Sequence, residues 1–243
     1  FIRERLAADG IAVSFDAVIG RGGLLRPLPG GIYEVNELMK HDLRHAAMDH
    51  VCNLGGLLAA ELAAECGCPA YIADPVVVDE FQPVARYTGI PGIERKSVFH
   101  ALNSKAMARR YAASVGRSYE DISVVVAHMG GGISVSAHRC GRVIDVNNAL
   151  DGEGPFSTER AGTIPAGQLV EMCFSGRYDM RQMKKMIHGR GGLMAYMGTN
   201  DMITISRWAE DGEEPCRTIL DAMLYTVAKQ IGAMHVTLHG EEH

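Results

Sequence analysis

The chain reads as an α/β protein. Three features say so: short β-branched runs alternate with stretches whose apolar residues recur every three or four positions, glycine sits at most joints, and residues 122–146 alternate as three consecutive strands. Residues 11–19 (IAVSFDAVI) are predicted as a strand running into the loop Gly20-Arg21-Gly22-Gly23, which Pro27, Pro29, Gly30 and Gly31 prolong. Asn36 is a good N-cap, and Leu38, Met39, Leu43, Ala46, Ala47 and Val51 follow it at helical spacing. A second helix is expected over 57–66, stopped by Gly67. Residues 70–78 (AYIADPVVV) read as a strand interrupted by Asp74-Pro75. Proline has no N–H for a central ladder, so Asp74 is expected at a strand end.

Residues 98–115 form a predicted helix closed by Gly116. Then 122–127 is a buried strand, 128–132 a turn, 133–137 a second strand, Gly141 another turn and 142–146 a third strand, an antiparallel meander. The remainder reads as helices over 165–175, 179–188, 201–211 and from Pro215 onward. The last carries Ile219, Leu220, Met223, Leu224, Val227 and Ile231 on one face. No internal repeat or low-complexity segment interrupts this order.

The bulk numbers exclude some functions. At 243 residues the chain can bury a substantial core as one large or two small domains. A hydrophobic share of 47% and a charged share of 22% are those of an ordinary globular protein. A formal net charge of -5 and a pI near 6.1 argue against nucleic-acid or anionic-membrane partners, which need clustered Lys and Arg. No apolar run reaches the length of a membrane span. Thirteen methionines with only 6% aromatics suggest an aliphatic, adaptable core rather than a β-sandwich. Cys52, Cys66, Cys68, Cys140, Cys173 and Cys216 lack paired zinc spacing, and reduced thiols in the cytoplasm are expected for a chain of this size without a signal peptide. The chain opens at Phe1 and stops at His243 within a helical pattern, so it is expected to be a piece of a longer one.

Three motifs carry chemistry. In Val125-Val126-Ala127-His128-Met129-Gly130-Gly131-Gly132-Ile133-Ser134, a triple glycine between two strands lets backbone N–H groups point at an anion. A tight hairpin alone would explain the glycines; the flanking His128 and Ser134 and the strand register add weight. Residues 147–162 (NNALDGEGPFSTERAG) are dense in polar residues and, standing alone, read as a solvated loop. Arg160 is its candidate functional residue, because a fixed guanidinium matches phosphoryl oxygens bidentately. Residues 189–201 (GRGGLMAYMGTND) read as a glycine loop entering a helix N-terminus, a favourable place for anions. There Asn200 or Asp201 serves equally well as a plain N-cap.

The pattern of two apolar residues, Ala127, His128, Gly130, Gly132 and Ser134 resembles a signature of the acetate and butyrate kinase family. The runs 141–162, 70–80 (AYIADPVVVDE), 94–103 (ERKSVFHALN) and 189–201 are similar to its butyrate kinase branch, and the likeness covers essentially the whole chain. The resemblance implies the ribonuclease H-like, actin-like ATPase fold, two lobes around a nucleotide cleft, with 1–78 the remainder of the N-terminal lobe and 79–243 the C-terminal lobe. It implies ATP/ADP and Mg²⁺ as cofactors, a short-chain fatty acid or its acyl phosphate as partner, and a homo-oligomer. Residue by residue, it gives Arg160, Asp74, His100 and His128 catalytic roles, with Asp74 also at the metal. Arg21 falls near the carboxylate pocket, where acetate kinases have a histidine. Gly130, Gly131 and Gly132 match a phosphate loop, and Gly198 and Asp201 the nucleotide site. Two departures stand out: the family's opening Asn-x-Gly-Ser-x-Ser loop has no match here, nor does its C-terminal Gly-Gly adenosine segment with a magnesium-linked acidic residue.

The chemistry suits these residues. A fatty-acid carboxylate, with a pKa near about 4.3, is already a nucleophile at neutral pH. What remains is to bring two anions into line and hold the charge of the moving phosphoryl group. Acetate, propionate or a branched-chain acid are alternative substrates, and a non-catalytic module of the same fold is an alternative of another class. His41-Asp42-Leu43-Arg44-His45 imitates a zinc hydrolase motif, but Asp42 is short and Arg44 would set a cation beside the metal. His138, His188 and the cysteines read as structural or surface residues.

Overall fold

The computed structural model describes residues 1–46 and 50–239. The chain separates into two units, Phe1–Asp79 and Glu80–His243. In the first, helix α1 (Ile2–Ala8) and strand β1 (Val18–Arg21) precede β2 (Ile32–Glu34), α2 (Glu37–Arg44), a 3-10 turn (Val51–Asn53), α3 (Leu54–Cys66) and β3 (Ala70–Ala73). The middle strand is β3, parallel to β1 and antiparallel to β2. Glycine permits close packing of α3 on this sheet: a Cβ on Gly20 would strike the Gly55 carbonyl, and one on Gly55 would strike that of Arg21. Val35, Ala59, Ala63, Ala70 and Ile72 fill the small core.

Besides the strand read over 70–78, which ends at Ala73, three boundaries here differ from expectation. Of the strand expected over 11–19, only Val18 and Ile19 belong to β1, because its ladder begins with Val18 opposite Ala70. The helix after Asn36 stops at Arg44, where the backbone N–H of His45 donates to His41 O and the His45 ring nitrogen Nδ1 lies 2.9 Å from the same oxygen. Ala46 follows outside the helix, Ala47 lies outside the described residues, and Val51 opens the next turn. α3 begins at Leu54, earlier than expected, and ends at Gly67 in the left-handed conformation.

The second unit contains a 3-10 turn (Pro83–Arg86), α4 (Ala101–Ser114), a second such turn (Tyr119–Asp121), β4 (Ser123–Met129), β5 (Ile133–Arg139) and β6 (Arg142–Val146). Then come α5 (Ala166–Phe174), α6 (Met180–Ile187), α7 (Gly192–Met197), α8 (Met202–Glu210) and α9 (Cys216–Thr237). The three strands are the expected antiparallel meander, with β5 in the middle. Alternation along β5 sorts its side chains. Ile133, Val135 and Ala137 join Leu193, Ile205, Met223 and Val227 in a core with α7, α8 and α9. Ser134, Ser136 and His138 point the other way and are 0% exposed.

Buried polar groups need partners, and these have them. The Tyr119 hydroxyl lies 2.7 Å from His138 Nδ1, His138 Nε2 lies 2.8 Å from Ser136 Oγ, and that hydroxyl donates onward to Val126 O. Nearby, Lys105 Nζ donates at 2.9 Å to both oxygens of Glu80, a pair that is almost wholly buried. Val143 N–H donates to the same carboxylate, tying α4 to the start of β6.

Candidate active site

The β4–β5 hairpin sets two imidazoles at one corner of the second unit. His128 stands next to last in β4, opposite Ser134 in β5, with residues 130–132 as the turn between the strands. His100 is the N-cap of α4. The two rings stack, centroids 3.9 Å apart and planes 12° from parallel. His100 Nδ1 lies 2.9 Å from Ser134 Oγ, and Asn103 Nδ2 lies 2.8 Å from His128 Nδ1. At the turn, Gly130 N–H donates to Gly132 O.

Arg160 packs against the same turn. A Cβ on Gly132 would collide with its guanidinium, and Arg160 Nη1 donates to Ala149 O at 2.6 Å. Burial pulls the guanidinium below its ordinary value, and the neighbouring Glu159 carboxylate pushes it back. The starting value is so high that the group stays charged. Its Nε is a buried donor for which the described residues supply no acceptor, a property shared among them with Ser104 Oγ.

The polar stretch 147–162 is built rather than solvated, which corrects the reading of it taken alone. Asn147 and Ser157 are 0% exposed. Asn147 accepts from Val135 N–H and donates to Ile133 O and Glu153 O. Ser157 Oγ donates to Gly131 O at 2.7 Å, so this stretch holds the glycine turn in place. Arg95 clamps its start, donating to Asp145 at 2.9 Å and to Glu153 at 2.5 Å.

Residues 189–201 also differ from expectation. The amides at the head of α7 are already used: Leu193 N–H donates to Ser157 O and Met194 N–H to Thr158 O. Gly189 and Gly191 N–H both donate to Glu159 O. This segment braces the strip that carries Arg160, with the head of α7, a helix not expected here, used within the fold ahead of the expected helix capped by Asp201. Gly198 is the left-handed C-cap of α7, with open space around it. Asp201 is the N-cap of α8; hydrogen bonds from the Thr204 hydroxyl and Ile203 N–H hold its carboxyl below the usual range. A cavity of about 450 Å³ opens beside the glycine turn, lined by Met129, Gly130, Gly131, Ile133, Thr158, Glu159, Asn200, Met202 and Met223. Neither Gly198 nor Asp201 lines it, although Asn200 does and donates to Glu159.

In the first unit, Asp74 follows β3 as expected, 5% exposed and with φ +35. Non-glycine residues in this region are strained, and such strain tends to collect at functional positions. Gly31 N–H donates to Asp74 Oδ1, and Asp74 N–H donates to Gly31 O, both at 2.8 Å. Arg21 is the exposed last residue of β1 rather than part of the glycine loop. His41 and His45 stack at 4.3 Å on α2, Asp42 pairs with Arg26, and no third metal ligand joins them among the described residues.

The family pattern described as the Acetokinase family matches residues 85–242. The chain belongs to the acetokinase family. It is 66% identical over 241 residues to a probable butyrate kinase of Phocaeicola vulgatus and 54% identical to one of Bacteroides thetaiotaomicron, covering 99% of itself and 68% of each relative. Its structure is similar to that of Porphyromonas gingivalis acetate kinase, with a TM-score of 0.83 at 20% identity, over 98% of this chain and 64% of that one. The chain thus spans about two thirds of the proteins it matches. The likeness bears out the actin-like ATPase fold class read from the sequence.

For this acetokinase chain, His100, His128, Arg160 and Gly130–Gly132 come together around one turn. Asp74 and Arg21 sit in the other unit. Sequence reasoning missed Asn103, Ser157 and Glu159. Asn103 follows His100 by three residues at the start of a helix, a spacing that puts both on neighbouring turns. Nothing local marks Ser157 or Glu159, whose contacts cross more than twenty residues of chain.

Proposed function

We propose that the whole protein is an ATP-dependent carboxylate kinase whose acceptor is butyrate, with ATP and butyrate giving ADP and butyryl phosphate. Arg160 carries this reading: a half-buried guanidinium whose buried Nε–H is unused, packed under a glycine turn whose other end bears a stacked histidine pair. Such donors suit a phosphoryl group in transit, whose charge spreads over three equatorial oxygens. The substrate carboxylate oxygen bonds to the γ-phosphorus as the bridging bond to ADP breaks, and no proton need be removed. Arg160 and the two imidazoles hold the equatorial oxygens in place.

The triple glycine turn lies against the ATP phosphates, and the adjoining cavity, with its methionine walls, takes part of the nucleotide. Gly198 and Asp201 shape that region as helix caps. Asp74 offers Mg²⁺ a hard carboxylate donor, with Oδ1 also accepting from Gly31 N–H; one carboxylate together with phosphate oxygens and water is ordinary magnesium chemistry. When bound, that ion would neutralise phosphate charge. Arg21 is assigned to the carboxylate of the acid. The first unit is the remainder of an N-terminal lobe and the second a C-terminal lobe. The same reading makes the protein a cytoplasmic homo-oligomer without nucleic-acid or membrane partners, in keeping with its net charge of -5. Among the described residues no helix is long and apolar enough to cross a membrane.

The test is hydroxamate trapping of acyl phosphate by the full-length protein with ATP, Mg²⁺ and acetate, propionate, butyrate or isobutyrate. Strong signal with four-carbon acids is expected, graded across chain length because one methylene is worth only about 1–3 kcal/mol. Arg160→Ala is expected to lower turnover by roughly a thousandfold or more. No product with any acid would reject the assignment.

A further inference from the structure

We propose that Asn103 is a positioning residue that keeps the His128 proton on Nε2, so that a neutral imidazole donates a hydrogen bond to the transferring phosphoryl group; this deepens the kinase reading and rests on it. Asn103 Nδ2 lies 2.8 Å from His128 Nδ1. An amide nitrogen has only donors to offer. The ring nitrogen facing it therefore accepts, and in a neutral ring the proton is on Nε2. That nitrogen is on the side of the turn: a Cβ at position 130 would come within 3.3 Å of it.

The surroundings favour a neutral donor. His100 stacks on His128 at 3.9 Å, and the Arg160 guanidinium packs against Gly132 at the far end of the turn. A charge on His128 would add to that of Arg160. Glu159, whose carboxylate lies against Gly131, is an acidic group at the turn. With Asn103 as its partner, His128 contributes a donor without contributing a charge.

Nitrogen-15 NMR of the full-length protein with labelled histidine reads the tautomer without reference to activity, the His128 signal being identified by its loss in His128→Gln. The expected result is a protonated Nε2 and an unprotonated Nδ1; the reverse overturns the proposal. Two variants then test function. Asn103→Leu keeps the bulk and removes the bond, and about a tenfold loss of kcat is expected at every pH. Asn103→Asp keeps a bond but reverses it, because a carboxylate only accepts. Below the raised pKa of His128 both ring nitrogens carry protons and kcat stays near wild type; above it the remaining proton moves to Nδ1. Between about pH 6 and 8.5, kcat of this variant is expected to fall at least about tenfold against wild type, with KM for ATP little changed. Melting temperatures check that each variant folds. An aspartate variant that tracks wild type across the whole range overturns the proposal. Absence of acyl phosphate from the wild type would instead reject the kinase reading, and the ring shifts would still decide where the proton sits.

Discussion

A methyl group at position 132 would occupy the space held by the Arg160 guanidinium. The glycine is therefore fixed by close approach and not by dihedral freedom, since none of Gly130, Gly131 and Gly132 has a positive φ. Gly132→Ala is expected to displace Arg160 from Ala149 O and lower kcat by about a hundredfold, as an ångström of misplacement can. The melting temperature should drop by only a few degrees, because an arginine tip can move aside at less cost than a core side chain. Steady-state kinetics and thermal melting separate the two effects; equal kcat would mean that Arg160's present position is not the working one. The sequence makes the turn visible through its three glycines and two flanking strands. It hides the reason for the third glycine, because Arg160 arrives from nearly thirty residues away.

At the level of elements, the polar stretch and the segment after α6 act together. Ser157 holds the Gly131 carbonyl, and the carbonyls of Ser157 and Thr158 receive the first amides of α7. Gly192, with φ +59, passes so close that a Cβ would meet both the Ser157 and Arg160 carbonyls. Gly192→Ala is expected to force α7 away from this strip and to destabilise the unit by about 2–4 kcal/mol, combining backbone strain with overpacking. Denaturant unfolding measures the loss, and kcat should fall with it because the strip carries Arg160. A variant as stable as the parent would show that α7 does not brace the site. Strong periodicity made the meander and the long helix from Pro215 legible, while Gly67 marked the end of α3 and Asp74-Pro75 the end of β3. β1 was legible only in part, since a strand ends where its partner ends, and the partner is fifty residues away. The six-residue α7 is too short to show a period and is held by carbonyls from another segment.

Across the molecule, response to acid is set by the groups whose protonation differs between folded and unfolded chains. His138 is the clearest. Burial, aided by Lys105 and Arg109, lowers its pKa from 6.5 to about 3. Between those values the unfolded chain binds a proton that the folded one refuses, so unfolding free energy rises with pH there. The contribution is complete above about pH 6.5 and is lost progressively as pH falls toward about 3, by up to about 1.4 kcal/mol per pH unit. Asp145 opposes this, because burial raises its carboxyl despite Arg95, and the folded chain then holds its proton more readily than the unfolded one. In His138→Gln the buried amide can still bond to Tyr119 and Ser136 but gains no proton. That variant is expected to be less stable than the parent at neutral pH and to lose less stability between pH 6.5 and 4.5. Urea unfolding across that range gives both slopes. Parallel slopes would mean that His138 admits a proton without breaking its chain to Tyr119 and Ser136, and that the acid response comes from the carboxylates alone.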